Sequence, residues 1–317
     1  MKQKSVFATI ILLLVLTACA GAQMPGISKT KEQQAYKSEY RTGTEGLRIS
    51  FIENLPPPRL FDTEQFTAVL QIENKGAFTV GGPGDKIYLS GFDPTIITGI
   101  SQWGMDIPPL EGKNQFVPEG VVDTVEFRGT IAPLKAKNIN KYPVKLVATA
   151  CYGYETTSTA NVCIDPNPQA LNVRKVCTPT QVSLGGGQGA PVSVNLVEVE
   201  ASPGKTRFKI NVQNIGGGDV FRSGTDYLAR CSPFGQPLSF EAIDYVELVE
   251  VIVSGISIKQ TCKPLDDNHI RLTNGKGVVF CEFATRGQDA YTTPIAITLR
   301  YGYRNSIFKE FQIVSAY

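Results

Sequence analysis

The sequence predicts an all-β protein with two domains, and three observations lead to this fold class. Glycine and proline are frequent, at 30 and 20 of 317 residues, whereas runs of helix formers with a 3.6-residue period are nearly absent. The stretch Thr67–Gly76 returns 140 positions later as Arg207–Gly216, and both alternate apolar and polar residues as a half-buried strand does. A chain of this length can also bury two cores of ordinary size.

The charge of the chain argues against one class of partner. The net charge is +2, and two lysines precede residue 18 without any acidic residue. The remainder of the chain is therefore neutral, which disfavours nucleic-acid binding.

Residues 1–19 are predicted to be a lipoprotein signal peptide. Two lysines precede the apolar run Val6–Leu16, which is about half as long as a membrane-spanning helix needs to be. The run ends in Leu16-Thr-Ala-Cys19, which resembles the lipobox of prokaryotic lipoproteins and implies that Cys19 is lipidated as the mature N-terminus. Simple cleavage after Ala20 or Ala22, or retention as a short anchor, are the alternatives. We expect an exported protein at the extracytoplasmic face of the membrane or the cell surface.

The rest of the chain divides into four predicted parts. Residues 20–45 are polar without an apolar face and predict a flexible tether. Residues 46–164 form the first β-sandwich domain, residues 165–189 a loop-rich linker, and residues 190–317 the second domain.

Strands are expected wherever apolar residues alternate between turn signals. In the first domain we expect strands at 47–52, 67–73, 122–129 and 144–154, with 161–164 completing a final hairpin; in the second at 192–199, 207–213, 245–258, 269–273, 277–283, 295–303 and 308–314. Pro56-Pro-Pro58 predicts a bend or a sheet edge, and Asn274-Gly275 predicts a hairpin turn. After each repeat strand the chain resumes with a similar apolar stretch, Lys86–Leu89 in one copy and Asp226–Leu228 in the other.

The two repeats carry a resemblance to a known family. Leu70-x-Ile-x-Asn-x-Gly76 and Ile210-x-Val-x-Asn-x-Gly216 resemble the cell-adhesion-related (CARDB-like) domains of bacterial and archaeal surface proteins, over about residues 46–164 and 190–317. The resemblance implies two tandem immunoglobulin-like β-sandwich domains that act as spacers, adhesive modules or structural parts, and it supplies no catalytic residues. The chain departs from the pattern in its six further cysteines and in the long insertion Phe92–Val121.

These six cysteines suit an oxidising compartment, because an even set without a Cys-x-x-Cys spacing favours disulfides over a zinc site. Buried free thiols are the other alternative. The candidates are Cys151, Cys163, Cys177, Cys231, Cys262 and Cys281. We expect Cys151 to pair with Cys163 across the final hairpin and Cys262 with Cys281, which leaves Cys177 with Cys231.

The insertion Phe92–Val121 contains the only tryptophan, Trp103. Its apolar residues indicate that it is ordered, either as a cap over the end of its own sandwich, which we favour, or against another molecule. In the second case Trp103, Met105 and Ile107 are the candidate partner-binding residues. An exposed Trp103 could also provide a platform for a sugar.

The only histidine, His269, follows Asp266-Asp-Asn268 at a predicted turn. A solvated turn explains these residues better than catalysis or calcium binding. We therefore predict no catalytic residue, metal or cofactor. The sequence points to a lipid-anchored cell-envelope protein with a structural or adhesive role, which contacts the membrane through its lipid and other envelope or extracellular proteins through its domains. The alternatives are a surface protein that binds carbohydrate or solute and, from a third class, a secreted hydrolase.

Overall fold

Strands dominate the computed structural model, which describes residues 40–170, 173–185 and 187–316. The all-β fold class is therefore confirmed. The predicted signal peptide, Cys19 and residues 20–39 of the tether lie outside the described residues. Within the described residues, no helix has the length and apolar content needed to cross a membrane.

The first half of the chain contains eight strands in its described part, with a short 3-10 helix at Leu134–Lys137. The strands are β1 (Leu47–Phe51), β2 (Arg59–Phe61), β3 (Gln65–Asn74), β4 (Lys86–Ser90), β5 (Ile97–Thr98), β6 (Met105–Asp106), β7 (Val122–Ile131) and β8 (Lys141–Ile164).

The second half contains nine strands, one α-helix and a 3-10 helix at Lys259–Thr261 among its described residues. The elements are β9 (Val182–Ser183), β10 (Val192–Ser202), β11 (Lys205–Asn214), β12 (Asp219–Phe221), α1 (Thr225–Arg230), β13 (Tyr245–Val253), β14 (Ile256–Ser257), β15 (His269–Arg271), β16 (Lys276–Ala284) and β17 (Tyr291–Val314).

The described strands form three sheets. One four-stranded sheet has the order β1-β3-β7-β5 and comes from the first half of the chain, and another has the order β16-β11-β10-β9 and comes from the second. The third sheet has nine strands, with the main order β14-β13-β17-β8-β4-β6. The nine-stranded sheet therefore contains strands from both halves.

The centre of this shared sheet is an antiparallel pair of two long strands. β8 and β17 pair over all 24 residues of each, from Lys141 opposite Val314 to Ile164 opposite Tyr291. The predicted hairpin ending at residues 161–164 is therefore wrong, and the predicted strands 295–303 and 308–314 are one strand. The physical reason is that threonines and serines fill residues 156–159, and these residues continue a pleated strand rather than turning it.

The middle of this pair lies at Gly153, which is opposite Gly302. On each side a tyrosine of one strand faces a tyrosine of the other, and the four rings pack with centroids 5.8–6.3 Å apart. The Tyr152 hydroxyl accepts a hydrogen bond from the Leu47 N–H in β1, and the Tyr301 hydroxyl accepts one from the Val192 N–H in β10. The recurring Tyr-Gly-Tyr motif is thus where both four-stranded sheets meet the shared sheet.

The core is one continuous apolar layer between the shared sheet and the two smaller sheets. Even-numbered residues of β8 are buried from 144 to 164, and odd-numbered residues of β17 are buried from 293 to 303 and again at 311 and 313, as expected for strands with one face in the core. The described residues belong to one compact unit. The division into separately folding domains at residues 165–189 stays a prediction, and any separation has to break the β8–β17 pair.

The two repeats end in matching turns. The Asn74 side chain accepts a hydrogen bond from the Gly76 N–H and donates one to the Phe78 carbonyl. Asn214 makes the same bonds to the Gly216 N–H and the Gly218 carbonyl. A single asparagine therefore replaces backbone partners in each turn.

The two repeats differ in structure after these turns, although the sequence suggested that they stay similar. Lys86–Leu89 lies in strand β4, whereas Asp226–Leu228 lies in helix α1. In the first half of the chain β4 pairs with β8, and the corresponding partner of β17 in the second half is β13. Residues 222–244, which we call the covering segment, are inserted between β12 and β13.

All six candidate cysteines form disulfides, but two of the expected pairings are wrong. The bonds join Cys151 to Cys231, Cys163 to Cys177, and Cys262 to Cys281. Cys151 and Cys163 cannot pair because they lie on the same extended strand, where 12 residues span about 40 Å. The predicted linker is consequently tied to β8 through Cys177. Residues before 46 also contact the fold, since the Gly43 carbonyl accepts the Gly189 N–H at 3.1 Å.

Candidate functional site

The covering segment packs on the outer face of the shared sheet, opposite the main core. Helix α1 begins after Gly224 and buries Leu228. Asp226 lies in its first turn and Arg230 in its last, and both charges interact favourably with the helix dipole. The segment forms a second apolar cluster with the sheet, whose members are Tyr88, Cys151, Phe221, Leu228, Cys231, Leu238 and Ala242.

The covering segment is fixed at three places. In its middle, Cys231 forms the disulfide with Cys151 of β8. At its start, the Arg222 guanidinium donates to the Asp266 carboxylate at 2.8 Å and lies 4.2 Å from the centre of the Tyr245 ring. At its end, Arg271 donates to the Ile243 carbonyl at 2.7 Å and lies 4.5 Å from the same ring. These three contacts hold the covering segment on the shared sheet.

A pocket of about 370 Å³ opens between the covering segment and the first half of the chain. This volume is at the lower end of the range for small-molecule sites. Three segments line the pocket: β4 with its preceding turn (Gly84, Lys86 and Tyr88), the loop before β6 (Gln102 and Trp103) and the covering segment (Thr225, Ala229, Ser232, Phe234 and Gly235). Both halves of the chain are needed to build the site.

Two exposed aromatic side chains line this pocket, Trp103 at 85% and Phe234 at 42% exposure. Each is held by the same kind of turn. The Trp103 N–H donates to the Ser101 hydroxyl at 3.2 Å, and the Gly104 N–H donates to the Ser101 carbonyl at 3.3 Å.

The second turn repeats these bonds on the covering segment. The Phe234 N–H donates to the Ser232 hydroxyl at 3.2 Å, and the Gly235 N–H donates to the Ser232 carbonyl at 3.3 Å. The sequence signal is Ser-x-aromatic-Gly, which occurs as Ser101-Gln-Trp-Gly104 and Ser232-Pro-Phe-Gly235. Sequence analysis missed Phe234 because nothing local shows that the two motifs meet.

Gly104 is required for the position of the first aromatic side chain. It has a φ of +72°, and a Cβ atom there would lie 2.8 Å from the Ile87 carbonyl oxygen and the Tyr88 ring. Any other residue would push the Trp103 loop off β4.

Tyr88 forms the buried base of the pocket, with 3% exposure. Burial raises the pKa of its hydroxyl, against the opposing effects of the Lys86 ammonium and a hydrogen bond with Ser232. The hydroxyl therefore stays protonated at neutral pH and can act as a donor.

The pocket carries no net charge. Among the described residues that line the pocket, only Lys86 and Tyr88 are ionisable, and the Lys86 ammonium lies 2.6 Å from the Asp106 carboxylate. The remaining polar lining side chains are the amide of Gln102 and the hydroxyls of Thr225 and Ser232, which both donate and accept hydrogen bonds.

The three predicted partner-binding residues differ in their exposure to solvent. Trp103 faces solvent, so the preferred interpretation of its side chain as part of a cap is wrong. The cap is formed instead by its neighbours Ile96, Ile97 and Ile107, each at most 2% exposed. Ile107 therefore cannot contact a partner, because its side chain is in the core. Met105 is 41% exposed and pairs with Ile87 at the edge of the shared sheet.

His269 lies outside this pocket and is surrounded by an arginine, a backbone carbonyl and a tyrosine ring. Its Nδ1 atom lies 3.0 Å from the Arg222 guanidinium and 2.5 Å from the Asp267 carbonyl, and its ring packs edge-on against Tyr245. Within the described residues, no group of three or more potential ligands could hold a metal ion.

Comparisons with known proteins place little constraint on this site. No protein-family model matches the chain, and no curated protein matches it. One solved structure, titled as complete manganese lipoxygenase of Gaeumannomyces graminis and partial zonadhesin of Komagataella pastoris, is 8% identical. The match covers 84% of this chain and 92% of that chain with a TM-score of 0.15, so it supports no statement about fold or function.

Proposed function

We propose that this chain is an exported, lipid-anchored protein of the cell envelope that has an adhesive role and binds its partner through the Trp103 pocket. The observation that carries the proposal is the nearly complete exposure of Trp103 at the edge of a concave site that both halves of the chain build. Large aromatic residues at such sites dominate binding energies. Exposure of this kind gives the fold no stability, so a partner explains it better than packing does.

The disulfides support an extracytoplasmic location. Three bonds use all six cysteines of the described residues, and such bonds persist in oxidising compartments. The lipidated Cys19 of the proposal would hold the scaffold at the membrane. One acyl chain binds membranes only marginally, so stable anchoring needs two or more.

The anchor and the pocket are tested by different variants. Cys19→Ser should release the protein from the membrane fraction or alter its processing, and unchanged fractionation and migration would refute lipid anchoring. Chemical cross-linking of intact cells should join the wild-type protein to its partner, and Trp103→Ala should abolish this cross-linking. Phe116→Ala is the matched control, because Phe116 is 83% exposed in the same insertion and does not line the pocket.

The hydrolase alternative rests on His269 alone. The described contacts of its ring involve a guanidinium, a carbonyl and a tyrosine ring, none of which is an activated nucleophile. A hydrolase would lose turnover in His269→Ala while keeping its cross-links, the opposite of what we expect for Trp103→Ala.

A further inference from the structure

We propose that the Trp103 pocket is a lectin-like site that takes one uncharged pyranose ring of a glycan. The inference rests on the proposed binding function and names the chemistry of the ligand. It starts from three properties of the pocket: two aromatic side chains held in the same way, zero net charge, and polar groups that both donate and accept.

The aromatic side chains fit the apolar face of a sugar ring. Trp103 and Phe234 extend from equivalent turns on two different segments that both line the pocket. An aromatic ring has a negative face that attracts weakly positive C–H groups. The axial C–H bonds of a pyranose present such a face, and two aromatic surfaces contacting one small cavity select a ring-shaped ligand over an extended chain.

The charge of the pocket disfavours ionised ligands. The Lys86 ammonium is already paired with Asp106, so an acidic sugar would find no free cation among the lining residues of the described chain. A buried charge without a partner costs several kcal/mol, on the order of its desolvation. An uncharged ligand has no such cost.

The polar lining matches hydroxyl groups. Gln102 and Thr225 each supply a donor and an acceptor, whereas the Ser232 hydroxyl already accepts the Phe234 N–H and shares a hydrogen bond with the Tyr88 hydroxyl at the base. Sugar hydroxyls need both functions in the same place, whereas an apolar side chain of a protein partner would leave these groups unpaired.

The surroundings of the pocket disfavour a protein surface as the occupant. A stable protein interface buries about 800 Å² on each partner and uses about 20–30 residues. Among the described residues that line the pocket, the exposed large apolar side chains are Trp103 and Phe234. A small, concave site with two such residues suits one or two sugar rings.

The experiment uses the purified full-length protein and the fluorescence of Trp103, the only tryptophan of the chain. The probes are neutral oligosaccharides of glucose, galactose, mannose and N-acetylglucosamine, acidic oligosaccharides that contain sialic or uronic acid, and proline-rich and aromatic peptides. We expect a saturable change in emission with at least one neutral sugar and none with the acidic sugars or the peptides.

Variants decide whether the response comes from this pocket. Calorimetry should show that Trp103→Ala and Phe234→Ala each weaken binding of the responding sugar by at least about tenfold, whereas Phe116→Ala leaves it unchanged. Because Trp103 is 85% exposed, its variant should keep the wild-type melting temperature, whereas Phe234, which is 42% exposed, should lower it slightly when truncated. The same calorimetry should be repeated with the responding glycan attached to a carrier protein. The attached glycan and the free oligosaccharide should bind with equal affinity.

The inference is overturned if no neutral sugar gives saturable binding, or if only acidic sugars or peptides do. The proposed binding function survives that result as long as Trp103→Ala still removes the cross-links on cells. If Trp103→Ala keeps both sugar binding and the cross-links, the sugar site and the proposed binding function are both overturned.

Discussion

Removal of the disulfide between Cys151 and Cys231 should destabilise the protein and abolish binding together. The double variant Cys151→Ala, Cys231→Ala opens a loop of 80 residues. In the chain-entropy description, closing a loop of that length stabilises the native state by about 4.5 kcal/mol at 25 °C. Both cysteines are buried at the interface between the covering segment and the shared sheet, so the loss of packing adds to the cost.

The matched control is the double variant Cys163→Ala, Cys177→Ala. Its loop has only 14 residues, for which the same description gives about 3 kcal/mol. This bond ties the predicted linker to β8 and lies outside the pocket. We therefore expect the first variant to lose about 1.5 kcal/mol more stability than the second, and we expect only the first to lose ligand binding.

Urea denaturation followed by circular dichroism measures the free energies of unfolding. Binding is followed through the emission of Trp103, which both variants keep. The reasoning is refuted if the control variant is the less stable of the two, or if the variant without the Cys151–Cys231 bond keeps its binding. Either result would mean that the covering segment is held on the sheet without the disulfide.

Three further predictions follow from the packing. Gly302→Ala should cost about 1–3 kcal/mol by overpacking, because its Cβ would lie 2.1 Å from the Phe221 ring. At the facing Gly153 the nearest atom to an added Cβ is 3.9 Å away, so Gly153→Ala should be tolerated. Equal melting temperatures for the two variants would contradict this prediction. Two backbone N–H groups lower the pKa of Asp62 below its ordinary value of 3.8, so its contribution to stability is present above that pH and is lost as the pH falls through the lowered value. Asp62→Asn should accordingly be less stable than wild type at pH 7, with a gap that narrows in acid, and a gap that is constant with pH would exclude the carboxylate as its cause. Asn74→Ala leaves the Gly76 N–H and the Phe78 carbonyl without their side-chain partner, while the Leu110 carbonyl keeps the Val80 N–H. The substitution should cost about 2 kcal/mol in a thermal melt, whereas a loss below about 0.5 kcal/mol would show that water replaces the side chain.

Features encoded within a few residues could be predicted from the sequence. The alternation in the repeat strands gave β3 and β11, and Asn274-Gly275 forms the expected turn with positive φ at both residues. Strand period and turn chemistry are local properties, since they depend on side-chain direction and on allowed φ values.

Most of the errors concern contacts between distant residues. The disulfide partner of Cys151 is 80 positions away, on a segment inserted between two strands, and no local spacing indicates such a contact. Asp226–Leu228 was matched to Lys86–Leu89 because each follows a repeat strand. It forms α1 because its apolar side chain Leu228 packs on the outer face of the shared sheet, and tertiary packing overrides the weak propensities of so short a stretch.

The candidate site shows the same division. The sequence by itself indicated that Trp103 lies in a long, ordered insertion, because this follows from the apolar residues around it. The two Ser-x-aromatic-Gly motifs were recognised only when the structure showed that they form the same turn. Only the tertiary structure decided that Trp103 and Phe234 line one pocket, that Ile107 lies in the core and that Asp106 neutralises Lys86. These outcomes depend on the pairing of β4 with β8 and on the disulfide that holds the covering segment beside them. Contacts of this kind form only when distant parts of the chain bury their apolar surfaces together.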